Sequence, residues 1–420
     1  ISPYFPPVNA ADMQRVRMSL PYFRDLGWEA EVVCVDPVHA EMQVDHLLCE
    51  SVPEEIPVHF VSAFAKKYTG KIGLGSIALR SLWFYRKKVN TLLKKKNFDL
   101  VYFSTTQFPV CILGAYWKKK FGVPYVIDMQ DPWHSDYYLN KPKNQRPPKY
   151  WFSYRLNKWL EPIAMKAVGG LISVSDAYLQ TLKKRYSAVR AVPCATIPFS
   201  AFTPDQHIAE QHKSGFNSML DRRFVNIVYV GRGGADMRNA VLPLFSALQK
   251  GLNEERDIFR HIRINFIGTS YAPAEIAKPS IKPLADAMGL QDYVVEITQR
   301  IGFYHALATL QEANALFVPG SDDSGYTASK IYPYILTKRP LLAIFHPDSS
   351  VTDILMRCSD ALVLNLLDDR DKLLKNAYDF LHAVASRKRT KLKLNSEEIT
   401  KIMAPEMTML QVGLFNQLVH

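Results

Sequence analysis

The stretch Val228-Tyr229-Val230-Gly231-Arg232-Gly233-Gly234 reads as the end of a β-strand, a glycine turn and, from about Met237, the start of a helix. A strand that ends this way points backbone N–H groups and the positive end of a helix dipole at whatever binds beyond it. Arg232 and Arg238 would add charge there for a diphosphate. The glycine spacing is neither G-x-G-x-x-G nor a P-loop, so a plain tight turn with solvated arginines explains the same residues.

Working outward, the same theme repeats along the chain. Residues 225–230, 262–267, 294–297, 315–318, 341–345 and 361–364 read as strands with helical segments between them. In the first half, strands are expected at 30–35, 100–103, 125–128 and 171–174, and helices at 10–26, 72–96, 110–121 and 150–167. Such alternation implies parallel sheets with crossover helices, an α/β fold. A chain of 420 residues is expected to hold two domains. The join is expected within 195–215, where Pro198 and Pro204 bracket a polar stretch ahead of a new β-rich run at Phe224. Two such domains are expected to face a cleft at the carboxyl ends of their strands.

Charge is divided unevenly. Residues 1–200 hold 27 Lys and Arg against 16 Asp and Glu, whereas residues 201–420 hold 25 against 24. The anionic partner of this protein should therefore meet the first half; nucleic acid, an anionic membrane surface and a phosphate-bearing substrate all fit. Five scattered cysteines (Cys34, Cys49, Cys111, Cys194, Cys358) form no CxxC pair and are expected to be buried free thiols in a reducing cytosol. No apolar run is long enough to span a bilayer, and no signal-peptide pattern is present. The chain opens inside what reads as the end of a strand, so native residues are expected ahead of Ile1.

Three further stretches carry chemistry. Gly320-Ser321-Asp322-Asp323-Ser324-Gly325-Tyr326 follows a strand, and a helix is expected near Thr327 with Ser329 and Lys330 in its first turn. A lysine there opposes the helix dipole unless an anion is near; the bland alternative is a capped helix with Lys330 in water. Pro333 within that helical pattern suggests a kink or bulge. Pro124-Tyr125-Val126-Ile127-Asp128-Met129-Gln130-Asp131-Pro132-Trp133-His134 is a buried strand whose polar end, Asp131 and His134, either faces the cleft or caps the next turn. The third stretch is basic and aromatic: Arg80, Trp83, Phe84, Tyr85, Arg86, Lys87 and Lys88, then Lys94-Lys95-Lys96. Lys118-Lys119-Lys120 and residues 141–158, with Tyr150, Trp151, Phe152 and Tyr154, add to it. A basic amphipathic helix can lie on anionic lipid, though most such stripes are core faces with a solvated exterior. No nucleic-acid motif accompanies the charge, and no nucleic-acid partner is expected.

Taken in order, these pieces resemble glycosyltransferase family 4 of the GT-B architecture, two Rossmann-like parallel-sheet domains facing a cleft. Pro3-Tyr4-Phe5-Pro6-Pro7, Arg15 and Leu26-Gly27-Trp28-Glu29-Ala30-Glu31-Val32 are similar to the family's opening. Gly122-Val123-Pro124 through Trp133, Gly170-Leu171-Ile172-Ser173-Val174-Ser175, and Ile197-Pro198 to Phe202-Thr203-Pro204 resemble its next three motifs. Tyr229-Val230-Gly231-Arg232 resembles its glycine turn, and Ser329-Lys330-Ile331-Tyr332-Pro333-Tyr334 with Arg339-Pro340-Leu341 its last motif.

The resemblance implies domains at 1–200 and 201–403, with residues 404–420 forming a helix that returns to the first. It implies a retaining, metal-independent transfer with no cofactor beyond a UDP- or GDP-linked sugar. Asp131, Arg232 and Lys330 would be catalytic. Gly231, Arg232, Gly233, Arg238, Arg300, Ile301, Asp322, Asp323, Ser324, Gly325, Tyr326, Ser329 and Lys330 would hold the donor. Asn9, Asp12, Arg15, Gln130 and His134 would stand on the acceptor side. The sequence departs from the family's pattern at Pro333 and Gly325, where acidic residues are expected, at Gln130, where a histidine is, and at Asn9-Ala10-Ala11-Asp12, which replaces a glycine pair. The expected acceptor is a glycan or lipid-linked molecule of surface polysaccharide or glycolipid synthesis, met in the cytoplasm at the inner membrane face. The alternative is a GT-B scaffold that has lost catalysis and binds another enzyme.

Overall fold

In the computed structural model, strands form where apolar, β-branched runs can be covered on both faces. The structure describes all residues except 137, 140, 141, 144, 145, 147–149, 274, 323–329 and 420. The strands are β1 (Val32–Val35), β2 (Val58–Val61), β3 (Val101–Ser104), β4 (Tyr125–Met129), β5 (Gly170–Ser173) and β6 (Cys194–Thr196). They continue with β7 (Val225–Val230), β8 (Ile262–Ile267), β9 (Val294–Ile297), β10 (Ala315–Pro319), β11 (Leu341–Phe345) and β12 (Leu362–Asn365). Every residue of β4, β5, β10 and β11 is buried, as parallel strands roofed by helices on both sides require.

The chain divides into two compact units, Ile1–Ser200 with Ile402–His420, and Ala201–Lys401. In the first, β1 pairs with β2, and β3-β4-β5-β6 form a separate parallel ladder. Residues 1–3 join the two ladders. Ser2 N–H donates to Val33 O (3.2 Å) and Val35 N–H to Pro3 O (3.1 Å), while Ser104 N–H donates to Ile1 O (3.1 Å). The result is one sheet in the order β2-β1-(1–3)-β3-β4-β5-β6, whose connections reverse direction between residues 1–3 and β3.

The C-terminal helix Ala404–Val419 packs on this unit. Phe415 lies 5.1 Å from the Tyr102 ring, 5.5 Å from Trp28 and 6.1 Å from Phe23, centroid to centroid. Gln411 donates to Ser19 Oγ (2.8 Å). Gly170 lets the helix approach, since a Cβ there would stand 2.9 Å from Leu414 Cδ2.

The second unit is a six-stranded parallel sheet, β12-β11-β10-β7-β8-β9. Renumbered within the unit this is 6-5-4-1-2-3, the doubly wound Rossmann order, and its connections reverse between β7 and β10. Both units are thus Rossmann-like α/β sheets, the two halves of a GT-B fold.

Several expectations need correction. Strands β2 and β6 lie at the sheet's two edges and were not foreseen. The helix expected at 10–26 is a 3-10 turn (Ala11–Met13), a helix (Gln14–Phe23) and a second 3-10 turn (Arg24–Leu26). The helix expected from residue 72 begins at Ile77, where Ser76 Oγ accepts from Leu79 N–H. All five cysteines are free, but Cys49 is exposed and Cys194 half-buried. The helix start expected near Thr327 lies outside the described residues, which show a helix over Ile331–Leu336 with Lys330 as its N-cap. Pro333 lies in the first turn of that described helix, where proline is tolerated.

Candidate functional site

The loops leaving β7 and β10 emerge side by side at the switch point of the second unit, where doubly wound sheets bind ligands. Gly231 follows β7, and its glycine is required by a close approach. A Cβ there would lie 2.2 Å from Lys330 Nζ and 2.8 Å from Tyr229 Oη. Two of the turn's N–H groups are already used. Gly231 N–H donates to Ile267 O (2.9 Å) and Gly233 N–H to Thr269 O (2.8 Å), extending the pairing with β8.

Lys330 Nζ donates to Tyr229 Oη (2.9 Å), which in turn donates to Arg232 O (2.9 Å). The ammonium also sits 4.9 Å from the centre of the Tyr229 ring. Among the described residues no carboxylate pairs with it. Burial, then the charges of Arg232 and Arg300, lower its pKa to about 8. Tyr334 Oη accepts from Val230 N–H (2.7 Å) and donates to Val230 O (3.1 Å), pinning the end of β7 to the helix that Lys330 caps.

Arg232 is committed to Asp236, with Nη1–Oδ1 at 3.1 Å and Nη2–Oδ2 at 2.7 Å. Hydrogen bonding from Arg232 holds that carboxyl below its ordinary range. Ser321 Oγ also donates to Asp236 (2.8 Å), and Asp322 N–H to Asp236 O (3.0 Å), so Asp236 ties the β7 loop to the β10 loop. Asp322 Oδ1 accepts from Asn239 (3.0 Å). Arg300 is exposed and stacks over Tyr271 at 4.5 Å. Arg238 opens the helix Arg238–Glu254 and is exposed, and Ile301 is half-buried. Asp323, Ser324, Gly325, Tyr326 and Ser329 lie outside the described residues.

In the first unit the reversal point gathers a different set. Asp12 is buried and accepts from Thr105 Oγ1 (2.9 Å) and Thr106 N–H (3.2 Å). Burial raises its pKa. Gln130 Nε2 donates to Asp12 O (3.0 Å), Ser104 Oγ (3.2 Å) and Asp128 Oδ2 (2.8 Å). Asp131 is exposed beside this cluster, and partial burial of its carboxyl, then the charge of Asp12, raises its pKa. Asn9 is half-buried and its N–H donates to Gln43 O (2.8 Å).

Two residues expected on the acceptor side are turned inward. Arg15 is enclosed, with Nε on Asp128 Oδ2 (2.8 Å), Nη2 on Ile197 O (2.7 Å) and Nη1 on Pro198 O (3.0 Å). Its donors are spent holding the segment after β6 to β4, so it is an internal clamp. His134 is also buried, its ring 4.7 Å from that of Tyr154, and among the described residues neither ring nitrogen has a hydrogen-bond partner. Its N–H donates to the buried Glu161 (2.9 Å), which also accepts from Arg185 and Tyr186. Burial, then Arg185, lowers the imidazole's pKa. His134 faces the interior rather than a strand mouth.

Sequence reasoning missed Asp236, Tyr229, Tyr334 and Ser321 as parts of the site. The i, i+4 spacing of Arg232 and Asp236 was the available signal.

Comparison with known proteins follows from this geometry. Residues 17–198 match the model of Glycosyltransferase Family 4. No curated protein matches the chain. Among solved structures, Anabaena Alr3699/HepE in complex with UDP-glucose is similar at 12% identity and TM-score 0.55, covering 99% of each chain. An α,α-trehalose-phosphate synthase (UDP-forming) from Burkholderia xenovorans with glucose-6-phosphate is similar at 11% identity and TM-score 0.56, covering 100% of this chain and 99% of that one. The N-terminal domain of Candida albicans trehalose-6-phosphate phosphatase gives 13% identity and TM-score 0.60, covering 99% and 95%. At these identities the likeness establishes the fold.

Proposed function

We propose that this chain, a glycosyltransferase family 4-like protein of the GT-B fold, moves a sugar from a nucleotide-activated donor to a glycan or lipid-linked acceptor. The observation that supports this most is Lys330: a half-buried lysine with no carboxylate partner among the described residues, beside Arg232 and Arg300, at the switch point of a doubly wound sheet. Arg232 is balanced by Asp236, but Lys330 and Arg300 have no carboxylate partner among the described residues, an arrangement that costs free energy unless an anion joins them. The diphosphate of a nucleotide sugar fits that charge.

When the glycosidic C–O bond of such a donor breaks, negative charge develops on the departing diphosphate. Lys330 and Arg300 would stabilise it, with Arg232 oriented by Asp236. Leaving-group stabilisation of this kind suits front-face attack by the acceptor hydroxyl, with retention at the anomeric carbon and no metal required. Asp131, a carboxylate whose pKa is already raised, is assigned to the acceptor hydroxyl, with Asp12 behind it. The acceptor would belong to surface polysaccharide or glycolipid synthesis, and the enzyme would work in the cytoplasm, peripheral to the inner membrane face. Because the similar Anabaena structure holds UDP-glucose, UDP- and GDP-hexoses are the donors to test first.

A thermal-shift panel of UDP-, GDP-, ADP- and CMP-sugars tests the donor. One nucleotide class should stabilise the protein by about 2.7 kcal/mol at a hundredfold excess over Kd. Lys330→Ala should abolish the shift; a panel without any shift would remove the reading.

One observation favours a second reading, a scaffold without catalysis. Pro333 stands where the family resemblance expects an acidic contact to ribose, and its carbonyl accepts from Gln206 (3.3 Å). Turnover of a nucleotide sugar that stops in the Lys330→Ala variant would exclude it.

A further inference from the structure

The tryptophans outside the core mark a surface. Trp83, Trp151 and Trp159 are 53%, 64% and 67% exposed, whereas Trp28, Trp117 and Trp133 are buried or half-buried. Leaving an indole in water forfeits the burial it could gain, and three are left so in one unit. All three lie in stretches without a single carboxylate. Residues 56–98 hold ten Lys and Arg and no Asp or Glu, and residues 137–160 hold six and none.

The two stretches adjoin. Phe152 packs against Gly73, where a Cβ would come within 2.7 Å of its ring. This brings the start of the helix Tyr150–Met165 against residues 66–75, a short helix (Lys66–Thr69), a 3-10 turn (Gly70–Ile72) and the loop after them. Next to that segment, Phe64 meets Phe84 at 5.0 Å and Phe84 meets Trp83 at 4.9 Å, centroid to centroid. Phe64 and Tyr68 are 50% and 66% exposed. Along the second helix, Trp151, Arg155 and Trp159 recur at four-residue steps and form one exposed stripe.

Three of these five exposed rings carry a cation. Lys87 lies over Trp83 (5.4 Å), Arg155 over Trp151 (5.8 Å) and Lys67 over Tyr68 (4.9 Å). Among the described residues none of these three cations pairs with a carboxylate. Lys66, by contrast, is neutralised by Glu41, and Arg80 is buried on backbone oxygens.

We propose that this face docks on an anionic lipid bilayer. Amphipathic rings at headgroup depth with lysine and arginine among the phosphates is the arrangement an interface rewards. Among the described residues no helix is long and apolar enough to cross a membrane, so the contact would be peripheral. The proposal deepens the membrane part of the function proposed above. Its test does not involve the donor site, so either can fail alone.

The full chain should be sedimented with sucrose-loaded vesicles of phosphatidylcholine alone, and of phosphatidylcholine with about a third phosphatidylglycerol. Binding to the anionic vesicles should be at least tenfold stronger and should be lost near ~1 M salt, where charges are screened within about 3 Å. A Trp83→Ala/Trp151→Ala/Trp159→Ala variant should bind them at least tenfold more weakly, with the melting temperature and nucleotide-induced shift of the parent. Lys87→Glu/Arg155→Glu should remove the preference for anionic lipid. Equal binding by parent and triple variant would overturn the proposal. So would a parent that ignores vesicles, whether it binds double-stranded DNA instead or binds neither.

Discussion

Lys330 holds an ammonium where burial and two arginines oppose its charge, and three predictions follow from its neighbours. Lys330→Met should weaken nucleotide-diphosphate binding about 10- to 100-fold, the span expected for one charged hydrogen-bonding group, read by isothermal titration. Binding should also depend on pH. In the free protein Lys330 loses its proton at about 8, and a bound anion would retain it. Affinity should therefore fall as pH rises from about 8, and the Met variant should lack that slope. Ligand-free stability runs the other way. An unfolded chain keeps this proton to an ordinary 10.5, so between about 8 and 10.5 the unfolded state binds more protons and this group makes stability rise with pH. Gly231→Ala supplies a different probe. Its methyl would meet Lys330 Nζ and the buried Tyr229 Oη, on a backbone whose φ of +159° suits glycine. The variant should melt at a lower temperature than the parent and bind nucleotide at least tenfold more weakly.

At the scale of elements, the first unit depends on an ion pair spanning 113 positions of sequence, Arg15 with Asp128. Both side chains are buried, and Asp128 Oδ1 already lacks a hydrogen bond. Arg15→Met would leave the carboxylate unpaired and release Ile197 and Pro198, at a cost of about 3–5 kcal/mol in urea unfolding. An unchanged midpoint would show that the clamp is not structural. The same residue shows what the sequence could not disclose. Arg15 opens a helix, as read, but a side chain's direction depends on a partner folded in from far along the chain. His134 repeats the lesson, since Glu161 and Arg185 draw it inward. The central strands were legible because strands covered on both faces must be continuous apolar runs, and β7, β8 and β11 were read to the residue, as was β9 at an edge of the second sheet. The edge strands of the first unit were not. β2 has one buried residue in four and β6 none in three, so neither shows the pattern that covering imposes. In the candidate site the charged residues were legible from motif order. The tyrosines and Asp236 that position them were not, because their hydrogen bonds form only once the β7 and β10 loops meet.

For the whole molecule, two units with separate cores should not unfold as one two-state system. Phe415 belongs to the last helix yet packs in the first unit. Phe415→Ala should lower that unit's transition, with a loss of about 3–5 kcal/mol, and leave the second unit's transition in place. A donor held at the β7–β10 switch point should do the reverse. The central claim is that the second unit binds a nucleotide sugar through Lys330. Differential scanning calorimetry of the parent and the Lys330→Met variant, each with and without saturating UDP- or GDP-hexose, tests it most directly. The account predicts that one nucleotide class raises the transition insensitive to Phe415→Ala by several degrees in the parent and not in the variant. No shift with either nucleotide class, or an equal shift in the Met variant, would contradict it.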